Sequence, residues 1–565
     1  MTQIDLPPQK SVGHLTLLRQ PKTLTPKQFN ALPIEERLEI VRSASGRKKY
    51  DLLLETADTA ALVSRLPVQE LYLLVKELGR EDAVELLPLL DAEQFTSFLD
   101  LEAWQGDRLD GAAMFDWIAA LAEGGDELVA ARLRQLDFDL LVVFFHTLLD
   151  VTGSPGEIED EEVRAEAVRR NGGYEIVYRD EEKGKEVAVL LDLLFRLDND
   201  LFRDLLEAVR WEAQSMLEED VYQQRAVRLR ELGFPDPFEA RAAFARLEAA
   251  QLEAQSEKKK PLQPLQEVSS PTFFLNLVSG EGMLGELLAR GLRPDSAWEL
   301  TFLVNKVLLA QGGDPGSLDA VRHAAQTVYG GVNLALEVLG ADDFARIETL
   351  FADCYSEHLF RVGHTLTLEL CRRAQALNMS PLAPYLEGEF LTLVRALDRS
   401  RPLFPLFFDD PRRAGERPFA SRHDLQRAEA MLTRIEGMGA LFAALPFFLP
   451  DPADVDLAGC QPAAEELGLS HFILTALANQ LLGRSFLPLP LPSEELVLLH
   501  RTISHDGSLL EEVRRSCCET LESFWAGAGE CVDWALDLLH DGFCALAEKE
   551  IDPRYVEGLI VRLKS

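Results

Sequence analysis

Residues Glu55 to Glu102 divide without a gap into four consecutive units of twelve, ETADTAALVSRL, PVQELYLLVKEL, GREDAVELLPLL and DAEQFTSFLDLE. Position eight is Leu62, Leu74, Leu86 and Phe98; position nine is Val63, Val75, Leu87 and Leu99; position twelve is Leu66, Leu78, Leu90 and then Glu102. Apolar residues at positions five, eight, nine and twelve form the i, i+3, i+4, i+7 stripe of an amphipathic helix about two and a half turns long. Pro67, Gly79 and Asp91 open the second, third and fourth units, where a first-turn proline, a helix-ending glycine and a capping carboxylate fit. Helices this short are marginal in water, so each must lean on its neighbours, and a superhelical array of short helices is expected.

The period recurs outside this window. PIEERLEIVRSA from Pro33 places Ile40 and Val41 at positions eight and nine, and DFDLLVVFFHTL from Asp137 places Phe144 and Phe145 there. The array is therefore expected over about 25–150, interrupted at 103–124, where Trp104, Met114, Phe115 and Trp117 predict a longer helix with its loop. The phrases LPVQELYLLVKEL and DAVELLPLLD resemble the N-terminal helical repeat domain of MgtE-type magnesium transporters, a likeness confined to residues of about 30–150. Those transporters continue into paired CBS domains and a membrane bundle, which this sequence lacks, so the resemblance implies a helical stack and not magnesium transport. The whole chain, including RLRELGFPDPFEA at 228–240 and LFRVGHTLTLELCRRA at 359–374, resembles a bacterial domain-of-unknown-function family. That resemblance implies kinship of fold and no activity.

Beyond the array, TGSPGEIEDEE at 152–162 reads as an exposed acidic loop. Tyr174, Ile176 and Tyr178 then alternate with polar residues, DEEKGKE supplies a turn, and Val187 to Leu191 is apolar, which together predict one small β-hairpin near 174–191. Helix returns from 192 to about 256, ending in the Ala/Glu/Arg/Gln run 238–255. SEKKKPLQPLQEVSSP at 256–271 has no periodic stripe and reads as a linker and the main boundary. Residues 401–423 read as a long loop exposing Phe404, Phe407 and Phe408. The expected organisation is thus a basic arm at 1–24, the short-helix domain at 25–150, a loop, hairpin and helices packed on it at 151–255, the linker at 256–271, and a second helical domain at 272–565. The fold class is predominantly all-α.

A chain of 565 residues exceeds what one core usually serves. Its net charge of −37 repels phosphate backbones and anionic headgroups, so nucleic acid is not an expected partner. Residues 1–50 are the local exception, with nine Lys/Arg against four Asp/Glu, a net of +5 that leaves −42 elsewhere. No stretch reaches the roughly 18 apolar residues that span a bilayer, and MTQIDLPPQK has no apolar leader core, so membrane insertion is not expected and the cytoplasm is the expected address.

Site chemistry is sparse. Glu357, His358 and His364 are the candidates for a divalent metal, since Glu357 and His364 stand seven apart, two turns along one helix face. The zinc-protease spacing of two histidines four apart is missing. Seven cysteines contain no C-x-x-C pair; Cys517, Cys518, Cys531 and Cys544, with His500 and His505 nearby, suggest buried thiols before a nucleophile. No phosphate-binding glycine motif occurs, and the acidic groups Glu157 to Glu162 and Asp409-Asp410 lack the order of a calcium loop. Neither a catalytic residue nor a cofactor is expected. The leading expectation is a non-enzymatic cytoplasmic scaffold or adaptor for a protein partner, its oligomeric state open. The alternatives are an enzyme or metal protein built on Glu357, His358 and His364, and a divalent-cation-responsive regulator using Asp58, Glu70 and Asp82.

Overall fold

The computed structural model describes residues 4–5, 23–154, 172–254, 259, 271, 274, 277, 278, 280–291, 293–341 and 343–563. The chain is predominantly α-helical, with small strands of two to five residues among the described residues. Its contacts divide it into two compact units, Met1–Val362 and Gly363–Ser565, and the division falls within the helix Ser356–Asn378.

In the first unit each dozen carries one helical segment. The segments are Thr59–Val63, Val68–Leu78, Glu81–Leu89 and Ala92–Glu102. Pro67 and Gly79 bracket the second, and Asp91 caps the fourth with a reciprocal capping box to Gln94. The third is a 3-10 helix, because Pro88 inside it has no N–H to give to an α-helical ladder. All eight side chains at positions eight and nine are buried. Helix Gly46–Leu54 packs on Val68–Leu78, which packs in turn on Ala92–Glu102.

Polar side chains stitch these short pieces together from inside. Lys49 Nζ lies 2.8 Å from Glu70 Oε2, both side chains buried. Gln94 Nε2 donates to the Val63 carbonyl at 2.9 Å. Tyr72, Phe98 and Trp117 run edge to face, with ring centroids 5.4 and 5.6 Å apart.

Residues 103–124 form a two-residue-stranded hairpin, Trp104–Gln105 against Arg108–Leu109, before helix Gly111–Ala120. The expected longer helix does not begin at Trp104 because Gly106 takes a positive φ of 66° in the tight turn. Phe138–Leu148, the most apolar segment, is a helix almost wholly buried between helices Asn199–Trp211 and Gln214–Glu231.

The hairpin expected near 174–191 is corrected. Its first strand exists as Glu175–Tyr178, but the partner is Leu149–Gly153, and 187–191 lies in helix Glu181–Leu197. Asp180 decides the outcome: its carboxylate accepts from the amides of Glu182 and Lys183, so DEEKGKE starts a helix instead of turning a hairpin. Val187, Leu190, Leu191 and Leu194 then fall on one buried face. The run 238–255 is likewise broken into Pro237–Ala240, Arg241–Phe244 and Ala249–Ala254, and the first two pieces pack on helix Pro294–Ala310.

The expected linker at 256–271 lies outside the described residues except for Lys259 and Pro271, as do 155–162 of the acidic loop and nearly all of the arm at 1–24. The helices that follow 271 do not begin a new unit. Gln69 and Asn305 exchange two buried side-chain hydrogen bonds of 2.7 and 2.9 Å, and Asn305 also donates to the Leu232 carbonyl, so helix Pro294–Ala310 shares a core with the short helices.

In the second unit, helices Arg422–Ala444, Leu469–Leu481, Glu511–Phe524 and Ala528–Leu539 enclose the core, beside a three-stranded sheet in which Val561–Arg562 lies between Leu491–Pro492 and Cys460–Gln461. Glu387 reaches across sequence to cap Leu469–Leu481, accepting from Ser470 N and Oγ at 2.7 and 2.9 Å. A Cβ at Gly468 would fall 2.2 Å from the Glu387 carboxylate, so a larger residue there would displace this cap. In the long loop 401–423 residues 409–415 are exposed, but the phenylalanines expected on its surface are not. Phe404 is fully buried and Phe407 and Phe408 half-buried, because Arg417 stacks on Phe404 while pairing with both Asp409 and Asp424.

The buried pair gives a test. Removing one partner strands a buried charge, so Glu70→Ala is expected to lower the unfolding free energy by about 3 kcal/mol in urea titration, whereas Asp82→Asn on the surface changes it by less than about 0.5 kcal/mol. Replacing the pair together, Lys49→Met with Glu70→Leu, recovers most of the loss.

Candidate functional site

Helix Pro294–Ala310 presents Glu299, Phe302, Leu303 and Lys306 at the spacing of one face. Opposite stand Tyr355, Glu357 and His358 at the start of helix Ser356–Asn378, and Arg230, Gly233, Pro235 and Glu239 close the remaining side. Together they line a cleft of about 450 Å³ within the first unit. Gly233 is needed at this wall: its φ is +84° and a Cβ would meet the Phe302 ring at 2.2 Å.

The charges of the cleft are paired. Glu357 Oε1 lies 2.7 Å from Lys306 Nζ, Glu299 Oε2 lies 2.6 Å from Lys259 Nζ, and Glu239 faces Arg230 at 3.9 Å. Ser356 Oγ adds a 2.8 Å hydrogen bond to Glu299 Oε2. The other oxygen of Glu299 is buried without a hydrogen-bond partner. His358 stands edge-on to Tyr355 at 5.5 Å between centroids. Burial, with help from Arg361 and against Glu357 and Glu299, holds its pKa below the ordinary value. The cleft thus offers a neutral imidazole, a phenol ring and an apolar wall.

His364 does not join Glu357 and His358. It belongs to the second unit, is 9% exposed, and burial together with Arg401 pushes its pKa down to about 4. Among the described residues no group of three or more His, Cys, Asp or Glu is placed to hold a metal ion. The acidic positions of the dozens are likewise spent separately. Glu70 is buried on Lys49, Asp58 lies 3.7 Å from Arg37, and Asp82 is exposed.

Among the described residues the thiols join no such group either. All seven cysteines are free, and burial pushes Cys517 up to about 12 and Cys544 up to about 11, so both stay protonated at neutral pH. His500 meets the Cys544 carbonyl and the Ser504 hydroxyl rather than a sulfur, and His505 is exposed. Glu157 to Glu162 lie outside the described residues, and Asp409 is occupied by Arg417 and Arg427.

A different feature escaped the reading of the sequence. Helix Asn199–Trp211 ends in an indole that is 70% exposed yet hydrogen-bonded. Trp211 Nε1 donates to Glu207 Oε2 at 3.2 Å, Glu207 Oε1 accepts from Tyr174 Oη at 2.9 Å, and the Arg210 guanidinium sits 4.6 Å from the ring centroid. Burial and the hydrogen bond to Glu207 push the Tyr174 hydroxyl up to about 12, which keeps it a donor. Five residues on, in helix Gln214–Glu231, Met216 is 72% exposed. The available signal was the i, i+4 pairing of Glu207 with Trp211 at a helix end.

A family model described as a family of unknown function (DUF6178) matches residues 26–562. No curated protein and no solved structure matches the chain.

The histidines give a pH test. A folded pKa of about 4 for His364 means that the native state refuses a proton which the unfolded chain accepts near 6.5. Stability is then flat above pH 6.5 and falls as pH drops from there toward 4, by about 2 kcal/mol at pH 5. His471 behaves in the same way, since burial holds it at about 4 and its Nδ1 accepts the Gly468 amide. In urea unfolding at pH 7 and pH 5, His364→Gln is expected to shrink the acid loss by about 2 kcal/mol.

Proposed function

The chain belongs to the DUF6178 family of unknown function, and from that premise we propose that it is a non-enzymatic cytoplasmic scaffold or adaptor whose helical surface binds a protein partner. The observation that carries this reading is Trp211. Leaving an indole 70% exposed gives up burial worth a few kcal/mol. Three neighbours nonetheless hold it in one orientation: Glu207 at its N–H, Arg210 over its face, and Tyr174 fixing Glu207 from behind. A pre-set tryptophan loses little side-chain entropy on binding, and Trp, Tyr and Arg are the residues enriched where interfaces concentrate their energy. The short helices suit the same role, because stacked units of that kind build extended surfaces for contact. Paired charges in the cleft beside Glu357 favour binding over catalysis there, since Lys306 already occupies the carboxylate that a base would need.

The test is affinity purification of the full chain from its native cells, with Trp211→Ala alongside. Under this reading wild type retains a reproducible partner and the variant loses it while keeping its far-ultraviolet circular dichroism. A partner held equally by both, or none held by wild type, counts against it.

A further inference from the structure

The surface that presents Trp211 is strongly acidic. Residues 198–220 hold eight carboxylates, Asp198, Asp200, Asp204, Glu207, Glu212, Glu218, Glu219 and Asp220, against Arg203 and Arg210, a net of −6 in twenty-three residues. Glu212, Glu219 and Asp220 are exposed, on either side of the exposed Met216. The neighbouring helix adds to the same field. Phe138–Leu148 packs along Gln214–Glu231, and its end carries Asp137, Asp139 and the partly exposed Phe138. Burial first, then the negative charges of Asp137 and Asp220, raise the pKa of Asp139, an independent sign that carboxylates are crowded there. Arg134 pairs with Asp198, and Gln223 donates to Glu219 at 2.8 Å.

An exposed indole and thioether in an acidic stretch of the chain match one kind of occupant by charge and by polarity. We propose that this surface docks a basic protein segment that carries apolar side chains, an amphipathic helix or strand whose Lys and Arg residues meet Glu212, Glu219 and Asp220 while its apolar residues cover Trp211 and Met216. This rests on the partner-binding reading above and names the partner's chemistry. A second copy of the chain is disfavoured, because each copy brings −37 and the same acidic rim. Nucleic acid and anionic lipid are repelled by the same field. Opposite charge on the partner speeds encounter and sets specificity, and the aromatic contact sets lifetime.

The experiment uses the full chain with two synthetic peptides of equal length and leucine content, one lysine-rich and one glutamate-rich, and reads tryptophan emission and calorimetric affinity at low and high salt. Expected is binding of the lysine peptide with a blue shift of emission, weakened about 10-fold or more by Trp211→Ala. It should weaken comparably in the neutralised variant Glu212→Gln, Glu219→Gln, Asp220→Asn, and as salt rises. The glutamate peptide should bind at least about 10-fold more weakly. Equal, Trp211-dependent binding of both peptides would leave the partner reading standing and overturn the charge assignment. Lysine-peptide binding indifferent to Trp211→Ala, or no binding of either peptide, also overturns the docking proposal, while the co-purification experiment judges the broader reading separately. Sedimentation showing a dimer abolished by Trp211→Ala would assign the surface to a second copy instead.

Discussion

Helices of five to eleven residues do not persist alone in water, because the cost of nucleating each one is recovered over too few hydrogen bonds. In the first unit that deficit is met sideways. The apolar stripe of each segment is buried on the next, and at the joints a buried polar side chain makes a contact only one register satisfies. Lys49 finds Glu70, Gln94 finds the carbonyl of Val63, Gln69 and Asn305 find each other, and Arg228 grips Asp100 with two nitrogens at 2.6 and 2.9 Å. Leucine against leucine is permissive in sliding and rotation; a buried amide or ion pair is not, since a slip of one residue strands it without a partner. The apolar stripe therefore supplies the driving force and the polar bridges select the arrangement.

That division explains which parts of the fold were legible. Positions eight and nine of the dozens could be read directly, as the 3.6-residue period depends on nothing beyond the segment. The caps at Pro67, Gly79 and Asp91 were also readable, being local chemistry. What failed was every choice that depends on a partner far away in sequence. Tyr174, Ile176 and Tyr178 alternate like a strand and are one, but the strand across from them is 149–153, on the other side of a long intervening segment. Asp180 could start a helix or close a turn, and only the buried face of Val187, Leu190, Leu191 and Leu194 decides between them. Loop 401–423 has the composition of an exposed loop, yet one cation, Arg417, gathers Phe404, Asp409 and Asp424 into a folded strap.

The candidate site follows the same logic. Glu357 and His358 were found in the sequence because ionisable groups on a helix are conspicuous, and they do face a cleft. Their neighbours Glu299 and Lys306 come from a helix some fifty residues earlier, so the pairing that settles their charge state was invisible. His364, on the same helix, was grouped with them by spacing alone and belongs to the second unit, where burial keeps it neutral. Trp211 was overlooked for the opposite reason. Exposure of an aromatic residue is a property of the finished surface, and an isolated Trp at a helix end carries no period to mark it.

Charge connects these observations. A chain at −37 pays for its acidity in self-repulsion, and the described ion pairs show where the fold relieves it: Asp100, Glu70, Glu299 and Asp424 are each buried or nearly so against Lys or Arg. Basic residues are too few to treat the whole surface in this way. Segment 198–220 keeps a net of −6 beside side chains that water covers poorly. Such a combination is costly in unburied apolar area and in carboxylate repulsion, and the proposed arrival of apolar groups bearing positive charge would lower both costs. The cleft at Glu357 has no comparable imbalance, for its carboxylates already face Lys306, Lys259 and Arg230. Of the two surfaces, the acidic one around Trp211 is therefore the one on which the proposed docking rests.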